Sequence, residues 1–312
     1  MRIFMWHVHG SYQTALLETG HTFLLPRLPG GGPYGRGRAD TWDWPANAKA
    51  IQPAEASHAD VDLVVLQRPE ELVLAEAWLG GRRPGHDIPA IYLEHNAPQG
   101  PINDLRHPMA DQSAVPVVHV SAFNQLFWDS GNAPTRVVEH GVIDPGYRAT
   151  GELDRAVAVI NEPVRRHRVT GTDLLPALSR HSGIAIDLFG MKTEEIGGHD
   201  LHQRELHREM ARRRMYLHPV RWTSLGLSLL EAMHLGLPVV ALATTAVADA
   251  VPPDAGVVSC DREVLVEALR WLAADADAAA EMGKCARAAA LARFGLDRFT
   301  RDWNNVFAEV AA

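Results

Sequence analysis

Apolar residues along this chain gather in short runs separated by turn residues. In the first half the runs fall at 3–8, 22–25, 61–66, 90–93, 117–120 and 136–138; in the second half, at 156–160, 184–189, 215–217, 239–242 and 256–259. Between them the spacing lengthens to three and four. That predicts helices over 12–19, 69–79, 122–130, 173–179, 205–214, 224–235 and 263–274. Continuous apolar strands alternating with helices predict an α/β protein whose parallel sheets are covered on both faces. The pattern occurs twice, so the expected architecture is two Rossmann-like, doubly wound domains. The turn Asp144-Pro145-Gly146 sets the expected boundary, giving domains over 1–144 and 145–295. Residues 296–312 follow a Phe294-Gly295 stop and carry Phe299, Trp303, Val306 and Phe307 near helical spacing. They are expected to form a closing helix that returns to the first domain.

Residues 221–242, RWTSLGLSLLEAMHLGLPVVAL, concentrate the chemistry. Ser224 reads as the N-cap of a helix that Gly236 and Pro238 terminate, and a strand follows. The helix is apolar on nearly every face, so it is expected to be buried. Glu231 sits within it, and a buried carboxylate is costly unless something hydrogen-bonds to it. Gly226 permits close approach of a ligand to helix-start amides, which attract anions such as phosphate. At 1.5 Å per residue, Glu231 lies about 7.5 Å along the axis from Gly226. That is roughly the reach from a diphosphate to the hydroxyls of the attached ribose.

Composition narrows the partners. With 46% hydrophobic and 22% charged residues in 312, the chain has the make-up of a soluble globular protein. A net charge of −8 argues against a general nucleic-acid binder. Cys260 and Cys285 have no metal-ligand spacing and cannot frame a chain of this length, so they read as reduced thiols in a cytoplasmic protein. The N-terminus lacks a signal-peptide pattern, and the apolar stretch 238–251 is too short to span a bilayer. The basic helix at 204–214 reads as a solvated face in preference to a membrane-surface element.

His202 and His207 are five apart, not the four that an HExxH zinc helix needs. Residues 226–230 lack the second glycine of a nucleophile elbow, and no Walker A lysine is present. The 16 histidines form no convincing ligand cluster, so no metal site and no cofactor are expected.

Other candidates sit at strand ends, where ligands bind in open α/β sheets. His9, Gly10 and Ser11 lie between the first strand and its helix, in a turn that lacks the GxGxxG pattern. His95 ends the run 90–93 and could donate to a hydroxyl or phosphate. Arg165, Arg166 and Arg168 follow the run 156–160, ahead of Thr170-Gly171, and guanidinium forks match phosphate oxygens. The long Gly- and Pro-rich loop 26–48 carries Tyr34, Trp42 and Trp44, either as an acceptor-binding surface or as rings tucked into the core.

Ser224-Leu225-Gly226-Leu227-Ser228-Leu229-Leu230-Glu231-Ala232-Met233, with Pro219 before it and Gly236-Leu237-Pro238 after, resembles the donor-site signature of retaining glycosyltransferases of family 4, Pro-x-x-x-Glu-(Gly/Ser)-Phe-Gly-Leu-x-x-x-Glu-Ala-Met. The resemblance implies the GT-B fold, with two Rossmann-like domains facing each other across a cleft: an acceptor-side domain first, a donor-binding domain second. It implies a nucleotide-diphosphate sugar as co-substrate and a small-molecule or glycan acceptor. It makes Glu231 the ribose ligand, His95 a sugar contact, and Arg165 with Thr170-Gly171 the diphosphate clamp. His140-Gly141 resembles the family's junction motif, and Gly10-Ser11 its first phosphate loop. Gly190, Thr223, Ser224, Leu225, Gly226 and Leu227 fall on the donor side, and His9, Tyr34, Trp42 and Trp44 on the acceptor side. Thr223 stands where the family has its first glutamate, and Thr170 where it has a lysine. The expected function is transfer of a sugar with retention of configuration. An epimerase or phosphorylase on the same fold, and a nucleotide-sugar-binding subunit, are the alternatives.

Overall fold

A computed structural model describes residues 1–39 and 42–312. Residues 40 and 41, inside the expected loop 26–48, lie outside the described residues. The chain divides into two compact units, Met1–Gly141 with Leu296–Ala312, and Val142–Gly295. The division comes three residues ahead of the Asp144-Pro145-Gly146 turn.

The first unit holds β1 (Arg2–Met5), α1 (Gly10–Leu17), β2 (Thr22–Pro26), β3 (Ala48–Ile51), α2 (Pro53–Ala56), β4 (Leu63–Leu66), α3 (Glu70–Trp78), β5 (Ala90–Glu94), β6 (Val117–His119), α4 (Ala122–Phe127) and β7 (Thr135–Val137). Its parallel sheet has the order β3-β2-β1-β4-β5-β6-β7. Chain direction across the sheet reverses between β1 and β4, which makes that pair the switch point. Phe4, Trp6, Val64, Leu66, Tyr92 and Val117 build the core on one face.

The second unit holds β8 (Leu153–Val159), α5 (Pro163–Thr170), α6 (Leu175–Ser182), β9 (Ile186–Phe189), α7 (Gln203–Arg212), β10 (Arg213–His218), α8 (Leu227–Leu235), β11 (Val239–Leu242), α9 (Val247–Ala250), β12 (Gly256–Ser259), α10 (Arg262–Ala274) and α11 (Ala276–Phe294). Its strands, also parallel, run β12-β11-β10-β8-β9. Here the switch point lies between β8 and β10. The last helix, α12 (Leu296–Ala311), packs in the first unit. Its Trp303 donates from Nε1 to the Tyr12 hydroxyl at 3.0 Å, and Phe299 lies edge-on to the Tyr12 ring.

Several elements differ from the pattern-based expectation. The basic segment after β8 is helical: Pro163 opens α5, with a break at His167 (φ 29°, ψ −96°). The helix predicted over 205–214 ends at Arg212, because Arg213 enters β10 and pairs with Asp187 of β9 and Glu209 of α7. The alanine-rich α11 lacks a distinct apolar stripe, so periodicity does not announce it. Asp275 caps it by accepting from Ala278 N. Gly283 lets it rest on α8's end, since a Cβ there would fall 2.1 Å from the Gly236 carbonyl. Ser224 is not an N-cap. α8 begins at Leu227 with Gly226 as its cap residue and no side-chain cap.

Candidate functional site

In the second unit, the carboxyl ends of β8 and β10 carry Asn161-Glu162 and His218. α8 rises beside them. Its core face is sealed by Leu229, Leu230, Ala232, Met233 and Leu235, each wholly buried. The start of the helix is different: Gly226, Leu227 and Ser228 are half-buried, and Leu229 is the first amide to bond back to Gly226. The amides before it are open to an anion, with the positive end of the helix dipole behind them. The preceding loop is clamped. Thr244 Oγ1 donates to the Val220 carbonyl at 2.6 Å, and Arg221 pairs with Asp173 through two bonds of 2.6 and 2.9 Å. Thr223 is half-buried and Ser224 and Leu225 are buried, so these three shape the loop from within.

Glu231 is 8% exposed, with Gln203 Nε2 3.3 Å from Oε1 and His207 Nε2 3.4 Å from Oε2. The histidine contact lacks hydrogen-bond alignment. Both distances exceed the 2.7–2.9 Å typical of charge-assisted bonds. The carboxylate therefore has neighbours but no strong donor.

The arginine cluster separates sharply. Arg165 is bound by Glu162, which also takes Lys192, and Arg168 pairs with Asp173. The half-buried Arg166 has no side-chain partner among the described residues, and burial followed by neighbouring Arg165 lowers its pKa. A ligand can reach Arg166 without first displacing a carboxylate, whereas Arg165 requires that exchange. Thr170 is buried and bonded to the His167 carbonyl and to Thr172, so it supplies no cation. Glu162 (φ 54°) and His167 are left-handed non-glycine residues, a form of strain that clusters at ligand sites. Gly190 ends β9, and a Cβ there would meet the Ile160 carbonyl at 2.4 Å. Its glycine is accounted for by strand-end packing.

An open groove of about 690 Å³ runs along edge strand β9, lined by Arg155, His167, Ile186, Phe189, His199 and Arg213 among others. Neither Glu231 nor Gly226 lines it. Its charged residues are already paired, Arg155 and Arg213 both with Asp187, so the switch point is the stronger candidate.

In the first unit, His95 Nε2 faces Gln67 Oε1 at 2.9 Å, and Gln67 Nε2 donates to the Trp6 carbonyl at 2.8 Å. That orientation makes His95 Nε2–H the donor and leaves Nδ1 as an acceptor. Burial, and then His9 and His140, hold its pKa well below the ordinary value, so it is neutral at pH 7. The expected donation to substrate is thus corrected: the available nitrogen accepts. His9 is exposed, edge-on to His95 at 4.4 Å.

Gly10 opens α1 beside Ser11, but the Trp42 indole covers it, 2.7 Å from where a Cβ would stand. Gly141 is explained by packing, since a Cβ would fall 2.3 Å from Phe299 Cβ. His140 is buried edge-on to Tyr12. Trp44 is not an acceptor surface: it is 3% exposed and donates to Thr14 Oγ1 at 2.8 Å. Tyr34 carries the Arg68 guanidinium over its ring at 4.1 Å. Among the described residues no group of three or more His, Cys, Asp or Glu could hold a metal ion, and no helix is long and apolar enough to cross a membrane.

Sequence reasoning missed Gln67, Gln203, His207 and His218. The first three gain meaning only through a distant partner. His218 gains meaning only through the strand order that sets it beside the start of α8.

Residues 196–289, under half of the chain, match the family model described as Glycosyl transferases group 1. No curated protein sequence matches. Among solved structures, sucrose-phosphate synthase from Thermosynechococcus elongatus is 14% identical with a TM-score of 0.72, covering 99% of this chain and 98% of its own. Anabaena HepE, in complex with UDP and glucose, is 13% identical with a TM-score of 0.71, covering 99% of each chain. AviGT4, a glycosyltransferase involved in avilamycin A biosynthesis, is 16% identical with a TM-score of 0.63, covering 100% and 98%. Two parallel α/β units and these neighbours give the chain the GT-B fold.

Proposed function

We propose that this protein is a retaining glycosyltransferase that moves a hexose-like or heptose-like sugar from a nucleoside diphosphate to a small-molecule or glycan acceptor. The observation that carries the reading is the pairing, at the second unit's switch point, of an uncapped helix start with a weakly engaged carboxylate one and a half turns further on. The matched family stretch includes both, and a structure sharing the fold holds UDP and glucose. Glu231 accepts the ribose hydroxyls. The amides at the start of α8, with Arg166, stabilise charge on the departing diphosphate, which is electrostatic catalysis. That diphosphate takes the acceptor's proton on the face it leaves, so configuration is retained. In the first unit, His95 Nδ1 accepts a sugar hydroxyl.

The test is calorimetric titration with nucleoside diphosphates and their sugars, followed by anomer analysis of the product. Glu231→Ala is expected to lose about tenfold to a hundredfold in donor affinity, the worth of about 1.5–3 kcal/mol for hydrogen bonds to a charged group. A Glu231→Ala chain that transfers sugar with unchanged affinity overturns the assignment. Thr170, bonded internally where a cation is expected, favours a second reading as a binding subunit. That reading predicts donor binding without turnover of any nucleotide sugar.

A further inference from the structure

His218 is the last residue of β10, paired in register with Ala241 of β11, and it stands at the switch point. The residue is 2% exposed, and neither ring nitrogen has a hydrogen-bond partner among the described residues. A buried polar group of this kind is rare in native proteins and calls for a partner. The ring is aimed at the opening turn of α8: a Cβ on Gly226 would come within 2.9 Å of His218 Cε1 and 3.7 Å of Nε2. Only glycine leaves that edge room beside the open amides of a helix that has no side-chain cap. The orphaned imidazole and the uncapped helix start therefore face one place.

We propose that His218 is a donor-contacting side chain, its Nε2 edge meeting the diphosphate of a nucleoside diphosphate seated at the start of α8. The inference rests on the donor site proposed above and adds to it a residue outside the motif. Tyr216, stacked at 6.0 Å on the same strand, is the titratable group facing it, with Ser228 bonded to the Tyr216 hydroxyl and Glu231 beyond. Burial is the influence that lowers its pKa to about 4, so the ring is neutral at pH 7 before an anion arrives. An arriving dianion favours the charged form, and the ring takes a proton from solvent as the diphosphate binds. With threonine at 170, this proton adds a second cation to the one that Arg166 brings.

The experiment is calorimetric titration of UDP into the full chain at pH 7 in PIPES, HEPES and Tris, whose ionisation heats differ. His218→Gln is run in parallel with His181→Gln, a change at an exposed histidine near the end of α6 that has no part in the site. Wild type and His181→Gln are expected to take up close to one more proton than His218→Gln. His218→Gln is expected to bind UDP at least about tenfold more weakly. The wild-type affinity falls as pH rises from about 6 to about 8, by up to about tenfold per unit beyond the fall in His218→Gln. The comparison cancels the ligand's own titration. If His218→Gln binds UDP with wild-type affinity and wild-type proton uptake, the inference is overturned while the donor site stands. If no nucleoside diphosphate in a panel binds the folded wild type, both fall. Should His218→Gln fail to fold, wild type decides alone, since binding without proton uptake at any pH from about 5 to about 8 refutes the contact.

Discussion

Replacing Gly171 with alanine tests how the 219–224 loop is held. Gly171 closes α5 in the left-handed region (φ 73°, ψ 17°), and a Cβ there would fall 1.9 Å from the Pro219 carbonyl oxygen and 2.6 Å from its carbon. Both atoms are backbone, so neither can swing aside. The substitution must push the 219–224 loop away from α5, disturbing the bonds from Arg221 N and Trp222 N to the Val169 carbonyl. A left-handed non-glycine residue costs about 1–2 kcal/mol, and overpacking about 1–3 kcal/mol more. The expected loss is therefore about 2–5 kcal/mol, a large part of the 5–15 kcal/mol typical of a domain. Gly183→Ala is the control. Gly183 has the same φ of 73° but nothing within 4 Å of its would-be Cβ, so only the conformational cost remains. The assay is urea unfolding of the second unit, read by amide exchange in β8 and β10, together with UDP affinity. Gly171→Ala should lose stability well beyond Gly183→Ala and should weaken UDP. Equal losses in the two variants would falsify the idea that Pro219 rests on Gly171.

Three further outcomes are expected. Arg166→Gln lowers UDP affinity by about tenfold or more, the worth of a charge-assisted bond, whereas Arg165→Gln changes it little; calorimetry on both decides, and the reverse order refutes the assignment within the cluster. Trp44→Phe loses the bond to Thr14, lowering stability by about 1 kcal/mol without altering acceptor KM; a raised KM at unchanged stability would return Trp44 to the acceptor surface. Burial lowers both His119 and His218 from 6.5 to about 4. The unfolded chain then binds more protons between those values, so each contributes stability that is full above pH 6.5 and lost as pH falls toward 4. The slope is about 1.4 kcal/mol per pH unit for each, and urea midpoints that stay flat over that window contradict it.

Much of this protein was legible from local spacing. Alternation of apolar runs with helical periodicity is written in neighbours two to four residues apart, so it exposed the two parallel α/β units. The same reasoning found the buried helix with Gly226 and Glu231, and the closing helix bearing Trp303. Its failures were also local. α11 is rich in alanine and has no stripe, and the cap of α8 is Gly226, two residues beyond Ser224, which is buried in the loop.

The side chains left for a ligand depend on distant partners that no spacing reveals. Glu162 takes both Lys192 and Arg165, and Asp173 takes Arg168 and Arg221, which leaves Arg166 without a side-chain partner among the described residues. Thr14 draws Trp44 inside. His218 becomes a candidate only because the strand order puts β10 beside β8, bringing its unsatisfied ring to the crevice where the sheet reverses. Periodicity can say that a strand exists, but the burial of its end and the unsatisfied ring it carries are properties of the packed whole.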